Sequence, residues 1–319
     1  MLINKLQGSS LGVLQWIDGH TGFYLEVPLP NLLAPVALML VMSVFVFLPV
    51  RRLMLVLSAI FVGSISTRFE VVPIKHARID VLDVGQGLSV VIRTAHHVLV
   101  YDTGMEFYHG SDMGKLAIIP YLKALGVSGI DKVVISHPDL DHRGGLKSLE
   151  ERFVVNELLV DNPKFYKRGI NCHESLPWTW DGVTFEFFPL VGNLSGQNNN
   201  SCVLKVSAHE EQLLLTGDIE KPAEELLVQM YGSKLNSSIL LVPHHGSKTS
   251  STSKFLAQAA PKYALASYGL NNRYHFPHAQ AMMNYQVHHI PVYNTVGCGM
   301  IRVELGEGLL VPICRLKLT

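Results

Sequence analysis

Cysteine is scarce in this 319-residue chain, and what there is does not cluster: Cys172, Cys202, Cys298 and Cys314 form no C-x-x-C pair. Zinc-knuckle and thioredoxin-like readings are thereby excluded. Cys202, Cys298 and Cys314 sit in apolar, strand-like runs, where buried free thiols are the plain expectation; one disulfide is compatible with an extracytoplasmic domain. Charge is scarce too, at 16% of residues, with 26 basic against 26 acidic side chains and a formal net charge of zero. Five basic and three acidic residues precede position 76, so the remainder carries 21 against 23 and is close to neutral. The basic footprint that would by itself mark a nucleic-acid-binding domain is missing. An anionic substrate stays open, because divalent ions held by carboxylates make a site locally electropositive. No repeat with a period of about 20–50 residues is present. A secretory signal is a poor alternative as well, since the first apolar run begins late and no basic stretch directly precedes it.

Long hydrophobic runs, by contrast, are concentrated in one place. Residues 31–66 carry only two charges, Arg51 and Arg52, in a break beside Pro49. On either side lie apolar runs at 32–48 and 53–65. A bilayer crossing needs roughly 17–25 residues, which the first run meets, whereas the second is short for a span. Together they read as a transmembrane or membrane-embedded helical hairpin, the alternative being a hairpin buried in a soluble protein. Trp16, Phe23 and Tyr24 ahead of it suit a membrane interface. Arg51 and Arg52 favour a cytoplasmic turn, whereas Arg68, Lys75 and Arg78 pull the other way, so charge bias leaves the topology undecided. The expected organisation is a membrane-associated segment at 1–75 and a folded domain at 76–319.

From Ala77 onward, short apolar segments alternate with Gly and Asn/Asp turns. Strands are expected at 78–84, 88–93 and 97–101, a helix at 115–125, a strand at 133–136 and a helix at 146–153. Strands at 155–160, 183–189, 202–207 and 212–216 follow, then a helix at 221–231 with Pro222 in its first turn. A strand at 239–242, a helix at 251–259, a strand at 263–267 and a helix at 278–287 come next. Strands near 292, at 300–305 and at 309–314 close the chain. Two such mixed halves fit an α/β protein of the αβ/βα sandwich type.

The most informative run is His137-Pro-Asp139-Leu-Asp141-His142-Arg-Gly144-Gly145. Two His and two Asp at this spacing are poor core residues but a good cage for two divalent metals, placed where a buried strand opens into a helix. Thr216-Gly217-Asp218 and Pro243-His244-His245-Gly246 also stand just past apolar strands, as do Asp83, ahead of Gly85 and Gly87, and Asp102, ahead of Gly104. Any one of these is more readily a capped turn than a site. Together they form a convergent polar cluster at one sheet edge.

H-x-D-x-D-H with the Thr-Gly-Asp218 and Pro-His-His245-Gly strand ends resembles the metallo-β-lactamase superfamily. The fuller set includes Asp83-Val-Gly-Gln-Gly87, Asn199-Asn200-Ser201, Asn272-Arg273-Tyr274-His275-Phe276-Pro277-His278 and Gly299-Met300-Ile301. Over roughly 76–319 it is similar to the C-terminal domain of ComEC-type competence proteins. That resemblance implies a metallo-β-lactamase-like αβ/βα sandwich preceded by the last stretch of a membrane channel. The implied setting is the bacterial inner (cytoplasmic) membrane, with a multi-pass chain and the hydrolase domain outside the cytoplasm. The implied activity is a nuclease that degrades the non-transported DNA strand during natural transformation. Single-stranded DNA, the membrane, the remaining competence channel and the DNA-uptake machinery are the implied partners. Without the long upstream channel of that family, the sequence is expected to be a fragment, a truncated gene or a free-standing relative.

Residue by residue, the resemblance implies His137, Asp139, Asp141, His142, Asp218 and His245 as ligands of two divalent ions, with Asp218 bridging and Asp141 and His142 on the second. Three Asp and three His make a hard set that tilts the choice towards Mn2+ while leaving Zn2+ open. Asp141, His244 and His278 are the catalytic candidates, His244 as a proton donor or a supporting residue, and Asp83 and Asp102 stand behind the ligands. Lys115, Asn200, Ser201, Lys248 and Arg273 are candidates for gripping substrate. Asp139 stands where hydrolytic relatives usually carry His, residues 199–201 lack the usual third-motif His, and Leu88 replaces an Asp often found after Gly-Gln-Gly. Two rivals are a membrane-tethered phosphodiesterase acting on a small or lipid-linked phosphoester, and a non-catalytic DNA-guiding domain.

Overall fold

The computed structural model describes residues 39, 40, 43, 71–108, 110–190, 194–308 and 310–315. The chain divides into two units, Met1–Thr67 and Arg68–Thr319. In the first, the described Met39, Leu40 and Ser43 are helical; the rest of the expected membrane hairpin lies outside the described residues. Among the described residues no helix is long and apolar enough to cross a membrane.

In the second unit the apolar segments pair into two mixed sheets. The first comprises β1 (Ala77–Val81), β2 (Val90–Arg93), β3 (Val98–Tyr101), β4 (Gly129–Ile135), β5 (Val154–Val160), β6 (Ile170–Asn171), β14 (Met300–Leu305) and β15 (Ile313–Arg315). The second comprises β7 (Trp178–Trp180), β8 (Val183–Phe187), β9 (Leu204–Ala208), β10 (Glu211–Leu215), β11 (Ile239–Leu241), β12 (Tyr263–Ala266) and β13 (Val292–Asn294). Their strand orders are β15-β14-β1-β2-β3-β4-β5-β6 and β13-β12-β11-β10-β9-β8-β7. β3, β4 and β5 run parallel, as do β10, β11, β12 and β13. Parallel strands are covered on both faces, which is why β4 and β11 read as nearly unbroken apolar runs.

Side-chain alternation assigns each face. Ile79, Val90, Tyr101 and Val134 of the first sheet meet Phe185, Val206, Leu213 and Leu241 of the second in a shared core. Their neighbours turn outward: Val100, Val133 and Ile135 pack beneath Leu122 and Leu149, and Leu214, Leu240 and Ala264 pack beneath Leu227, Phe255 and Tyr285. Helix, sheet, sheet and helix therefore stack as an αβ/βα sandwich. On the outer face of β1, Asp80 is buried but paired: Arg302 Nε and the Tyr121 hydroxyl each donate to it at 2.6 Å.

The helix expected at 221–231 spans Lys221–Tyr231. The helix expected at 115–125 begins as a π-helical turn, Gly114–Ile118, and continues as Ile119–Ala124. The expectation of free thiols is corrected. Cys172 pairs with Cys202 and Cys298 with Cys314, with Cα–Cα distances of 5.9 and 4.5 Å. Cys172–Cys202 ties the segment after β6 to the segment before β9, and so joins the two sheets. Separations of 30 and 16 residues carry no sequence signal of that proximity.

Candidate metal centre

The carboxyl ends of the parallel strands point to one edge of the sandwich, where open α/β sheets place their ligands. β3 ends in Asp102 and β4 in Ser136-His137; β10 leads to Asp218 and β11 to Pro243-His244-His245. Asp139 then opens the short helix Leu140–Arg143 that carries Asp141 and His142. Glycine makes this packing feasible. A Cβ on Gly144 would sit 2.1 Å from the Glu106 backbone nitrogen, and one on Gly145 2.4 Å from the Thr103 carbonyl oxygen. Gly87, at φ +135°, lies against the Asp141 carbonyl in the same way.

Four imidazoles converge on the Asp218 carboxylate. His142 Nε2 is 3.2 Å from Oδ1, while His245, His244 and His137 Nε2 are 3.4, 3.8 and 3.9 Å from Oδ2. Asp141 Oδ2 lies 3.5 Å from His245 Nε2, and Asp139 Oδ2 lies 3.5 Å from His137 Nε2. Behind each ring, Nδ1 has a partner. His142 Nδ1 is 2.8 Å from Asp102 Oδ2, and His245 Nδ1 donates to the Ser267 carbonyl at 2.7 Å. His137 Nδ1 faces the Ser136 hydroxyl at 3.1 Å, and His244 Nδ1 faces Glu220 Oε1 at 3.5 Å. An Nδ1–H tied to an acceptor leaves the Nε2 lone pair as the ligating atom, the usual arrangement behind a metal-bound His.

Two groupings have ligand atoms close enough to share an ion: His137, His142 and Asp218, and Asp141, His142 and His245. Three observations fit a cation. His137 Nε2 is buried and has no hydrogen-bond partner among the described residues, although buried polar nitrogens are normally satisfied. Burial alone would lower the His142 pKa, but the Asp218, Asp102 and Asp141 carboxylates hold it well above the usual imidazole range. Burial likewise opposes charge on His245, yet Asp218 and Asp141 push its pKa up to about 10. Carboxylates outnumber their partners here, and bound cations would replace the protons these rings otherwise retain. The carboxylates respond in kind: burial would raise Asp141 and Asp218, but His142 and His245 bring Asp141 to about 2 and hold Asp218 well below its usual range.

Other sequence candidates take supporting positions. Asp102 is fully buried and accepts from Ser136 N and Oγ, both at 2.7 Å. Asp83 accepts from Gly85 N at 3.2 Å within its turn. Ser201 is completely buried and its hydroxyl accepts from Asp218 N at 3.2 Å, which places it behind that carboxylate rather than on the open side of the site. Asn200 bonds its amide to Gly196 O at 3.4 Å, and its own carbonyl faces His173 Nε2 at 3.0 Å. Lys115 Nζ donates to Gly110 O at 3.1 Å and lies 3.6 Å from Asp112. Lys248 is exposed and lines a cavity of about 490 Å³ shared with Glu220 and Lys221. Arg273 lies over the Tyr274 ring, and His278 meets Phe276 edge-on at 5.7 Å.

Sequence reasoning missed Glu220 and Asp161, and it gave Asn199 a place in a motif but no role. Asn199 Oδ1 accepts from Glu220 N at 3.0 Å and so fixes the turn after Asp218. Asp161, just past β5, is pushed up to about 6 by burial. Its position after Leu158-Leu159-Val160, another apolar strand end, was the available signal.

Residues 82–269 match the family described as "Metallo-beta-lactamase superfamily". Competence protein ComA of Neisseria gonorrhoeae is 40% identical over 247 residues, covering 77% of this chain and 35% of that protein. Recombination protein 2 of Haemophilus influenzae is 34% identical over 236 residues, covering 73% of this chain and 29% of that protein. The chain thus spans about a third of the length of the curated relatives it matches. Among solved structures, the metallo-beta-lactamase fold protein YhfI of Bacillus subtilis is 12% identical, with a TM-score of 0.46 over 69% of this chain and 96% of that chain.

Proposed function

Because the chain belongs to the metallo-beta-lactamase superfamily, we propose that its second unit hydrolyses phosphodiester bonds of DNA with the help of two divalent ions. The observation that carries this reading is the convergence of His137, His142, His244 and His245 on Asp218, with the His137 Nε2 making no hydrogen bond among the described residues. His137, Asp139 and Asp218 would hold one ion; Asp141, His142, His245 and Asp218 would hold the other. Bound there, Mn2+ or Zn2+ supplies charge neutralisation at phosphate and a lowered pKa for water.

The chain's own residues supply the rest. Asp102, Ser267 and Glu220 keep His142, His245 and His244 aimed at Asp218. Ser201 and Asn199 lock the turn that carries Asp218 and Glu220. Burial first of all lowers the His244 pKa and so favours its uncharged form, which suits the ring to proton exchange beside the cluster. His278 stands one ring further out, across Phe276. Lys248 and Arg273 are exposed cations suited to backbone phosphates, contacts that position a strand without reading its sequence.

The name of the competence relative supports a place in DNA uptake; degradation of the strand that is not transported belongs to the same proposal. In that setting the apolar segments at 32–48 and 53–65 would anchor the chain in the inner membrane beside the remaining channel, and the hydrolase would face the extracytoplasmic side. Paired cysteines support that side, since disulfides persist in oxidising compartments.

The test is hydrolysis of labelled single-stranded DNA by the full chain with Mn2+ and with Zn2+, beside Asp141→Asn. Loss of a group behind a ligand typically costs 10–100-fold, so loss of the ligand itself is expected to cost at least about 100-fold. A folded, metal-loaded chain that cleaves bis-p-nitrophenyl phosphate but no DNA would move the substrate to a smaller phosphoester. One that cleaves neither would leave a DNA-guiding domain.

A further inference from the structure

On the rim of the metal centre the rings form a column. His245 and Phe276 stack with 26° between planes and centroids 6.1 Å apart. Phe276 and Tyr274 stack at 5.4 Å and 18°. The Arg273 guanidinium lies 4.7 Å from the Tyr274 ring centre. His244 meets Phe276 edge-on at 5.6 Å and supports it from the side. Exposure rises along the column, from 3% at His245 to 40% at Tyr274. Tyr108, 95% exposed, and Asp141 both lie close enough to Arg273 to feel its charge.

This column is built in rather than draped on the surface. Asn272 Nδ2 donates to Gly269 O at 2.9 Å and to Phe276 O at 2.8 Å, and its Oδ1 accepts from Phe276 N at 2.9 Å. His278 N donates to Gly246 O at 2.8 Å, and a Cβ on Gly246 would sit 2.6 Å from the Pro277 Cβ. The loop that presents Tyr274 is therefore fastened directly to the turn carrying His244 and His245. An exposed tyrosine is ordinary; near-parallel rings continuing outward from a metal-ligand candidate, on a loop held at both ends, are not explained by burial, because the outer member is solvated.

We propose that Tyr274 and Phe276 form a base-stacking platform that makes the site select unpaired nucleic acid. An unpaired base extends the column at its open end, against the Tyr274 ring and the Arg273 guanidinium, as bases stack on aromatic rings and Arg planes. Its phosphate then falls towards the carboxylate–imidazole cluster. Every base has an aromatic face, so the platform is indifferent to sequence; bases within a duplex already use both faces on each other and are not offered to it. This deepens the phosphodiesterase reading by naming the residues that hold an unpaired strand at the site, and rests on that reading for what the bound strand undergoes.

Binding tests the platform apart from catalysis. With EDTA present to stop cleavage, the full chain is titrated into a fluorescent 12-nucleotide oligo-dT, an abasic strand of equal length and a duplex. Stacking contributes about 5- to 100-fold per base, so oligo-dT is expected to bind tighter than the abasic strand and the duplex by at least about 5-fold. Tyr274→Ala is expected to erase that preference, Tyr274→Phe to keep it, and neither to change affinity for the abasic strand. Equal binding of oligo-dT and abasic strand by the unsubstituted chain, no binding of either, or a preference that survives Tyr274→Ala overturns the proposal. Hydrolysis of bis-p-nitrophenyl phosphate by the unsubstituted chain, with Mn2+ or Zn2+ and no EDTA, reports on the phosphodiesterase reading separately. A chain that keeps the base preference but cleaves no phosphodiester would refute the hydrolase and leave the platform standing.

Discussion

Asp102→Asn is the substitution whose outcome the geometry defines most closely. The side chain is fully buried and its backbone is left-handed at φ 60°, a conformation Asn tolerates well, so the replacement changes hydrogen bonding and charge with little backbone strain. The carboxylate serves three donors: Ser136 N and Oγ, each at 2.7 Å, and His142 Nδ1 at 2.8 Å. A carboxylate only accepts, whereas an amide offers one accepting oxygen and an NH2 group. At least one of the three donors therefore faces another donor in the variant. A hydrogen bond to a charged group contributes about 1.5–3 kcal/mol, and an orphaned buried donor costs about 1–3 kcal/mol. The metal-free chain is expected to lose about 2–4 kcal/mol on that basis. His142 also loses the group that points its Nε2 at Asp218, and metal affinity is expected to fall about 10–100-fold. Urea unfolding of metal-free protein and competition for Mn2+ against a fluorescent chelator measure the two effects. A variant with an unshifted urea midpoint and a metal Kd within about twofold of the parent would show that Asp102 does not hold His142.

Two further outcomes follow from residues outside the ligand set. Burial pushes Asp161 up to about 6, while an unfolded carboxylate titrates near 4. Between those values the folded chain binds the extra proton, so stability falls as pH rises, by up to about 3 kcal/mol. Asp161→Asn is expected to flatten that fall, and urea midpoints of metal-free protein at about pH 4.5, low in that window, and about pH 7.5, above it, check it; an undiminished difference refutes the assignment. Replacing both Cys172 and Cys202 by Ser frees a loop of 30 residues, for which chain entropy gives a loss of about 3–4 kcal/mol, read as a lowered Tm under oxidising conditions; an unchanged Tm would mean the bridge adds nothing.

The layered architecture was legible because period-two burial and strand-end glycines are local signals. β14 is expected and found at 300–305, and His137 to Gly145 announced its strand-to-helix turn in nine consecutive residues. Two kinds of information were not local. β6 and β7 are two and three residues long, and β7 gains its place by packing Trp178 and Trp180 against the sheet core, which no window of sequence contains. The disulfides, the Glu220 contact to His244 and the ring column all join positions brought together only by folding. Ser201 was legible as part of a polar run, but not its direction: its hydroxyl turns inward to Asp218 because the segment before β9 is buried between the sheets.

His244 and His245 both sit in left-handed backbone, at φ 49° and 53°. For residues other than Gly that conformation costs roughly 1–2 kcal/mol each. Backbone and side-chain demands therefore diverge at this turn. Glycine would relieve the main chain and remove the imidazole; Asn would suit the main chain and fall short of Asp218; a β-branched residue would satisfy neither. Nearly every single substitution at position 245 exchanges one defect for another, so the turn offers few neutral routes through sequence space. A descendant freed from the need for these imidazoles would gain main-chain stability by drifting to glycine here.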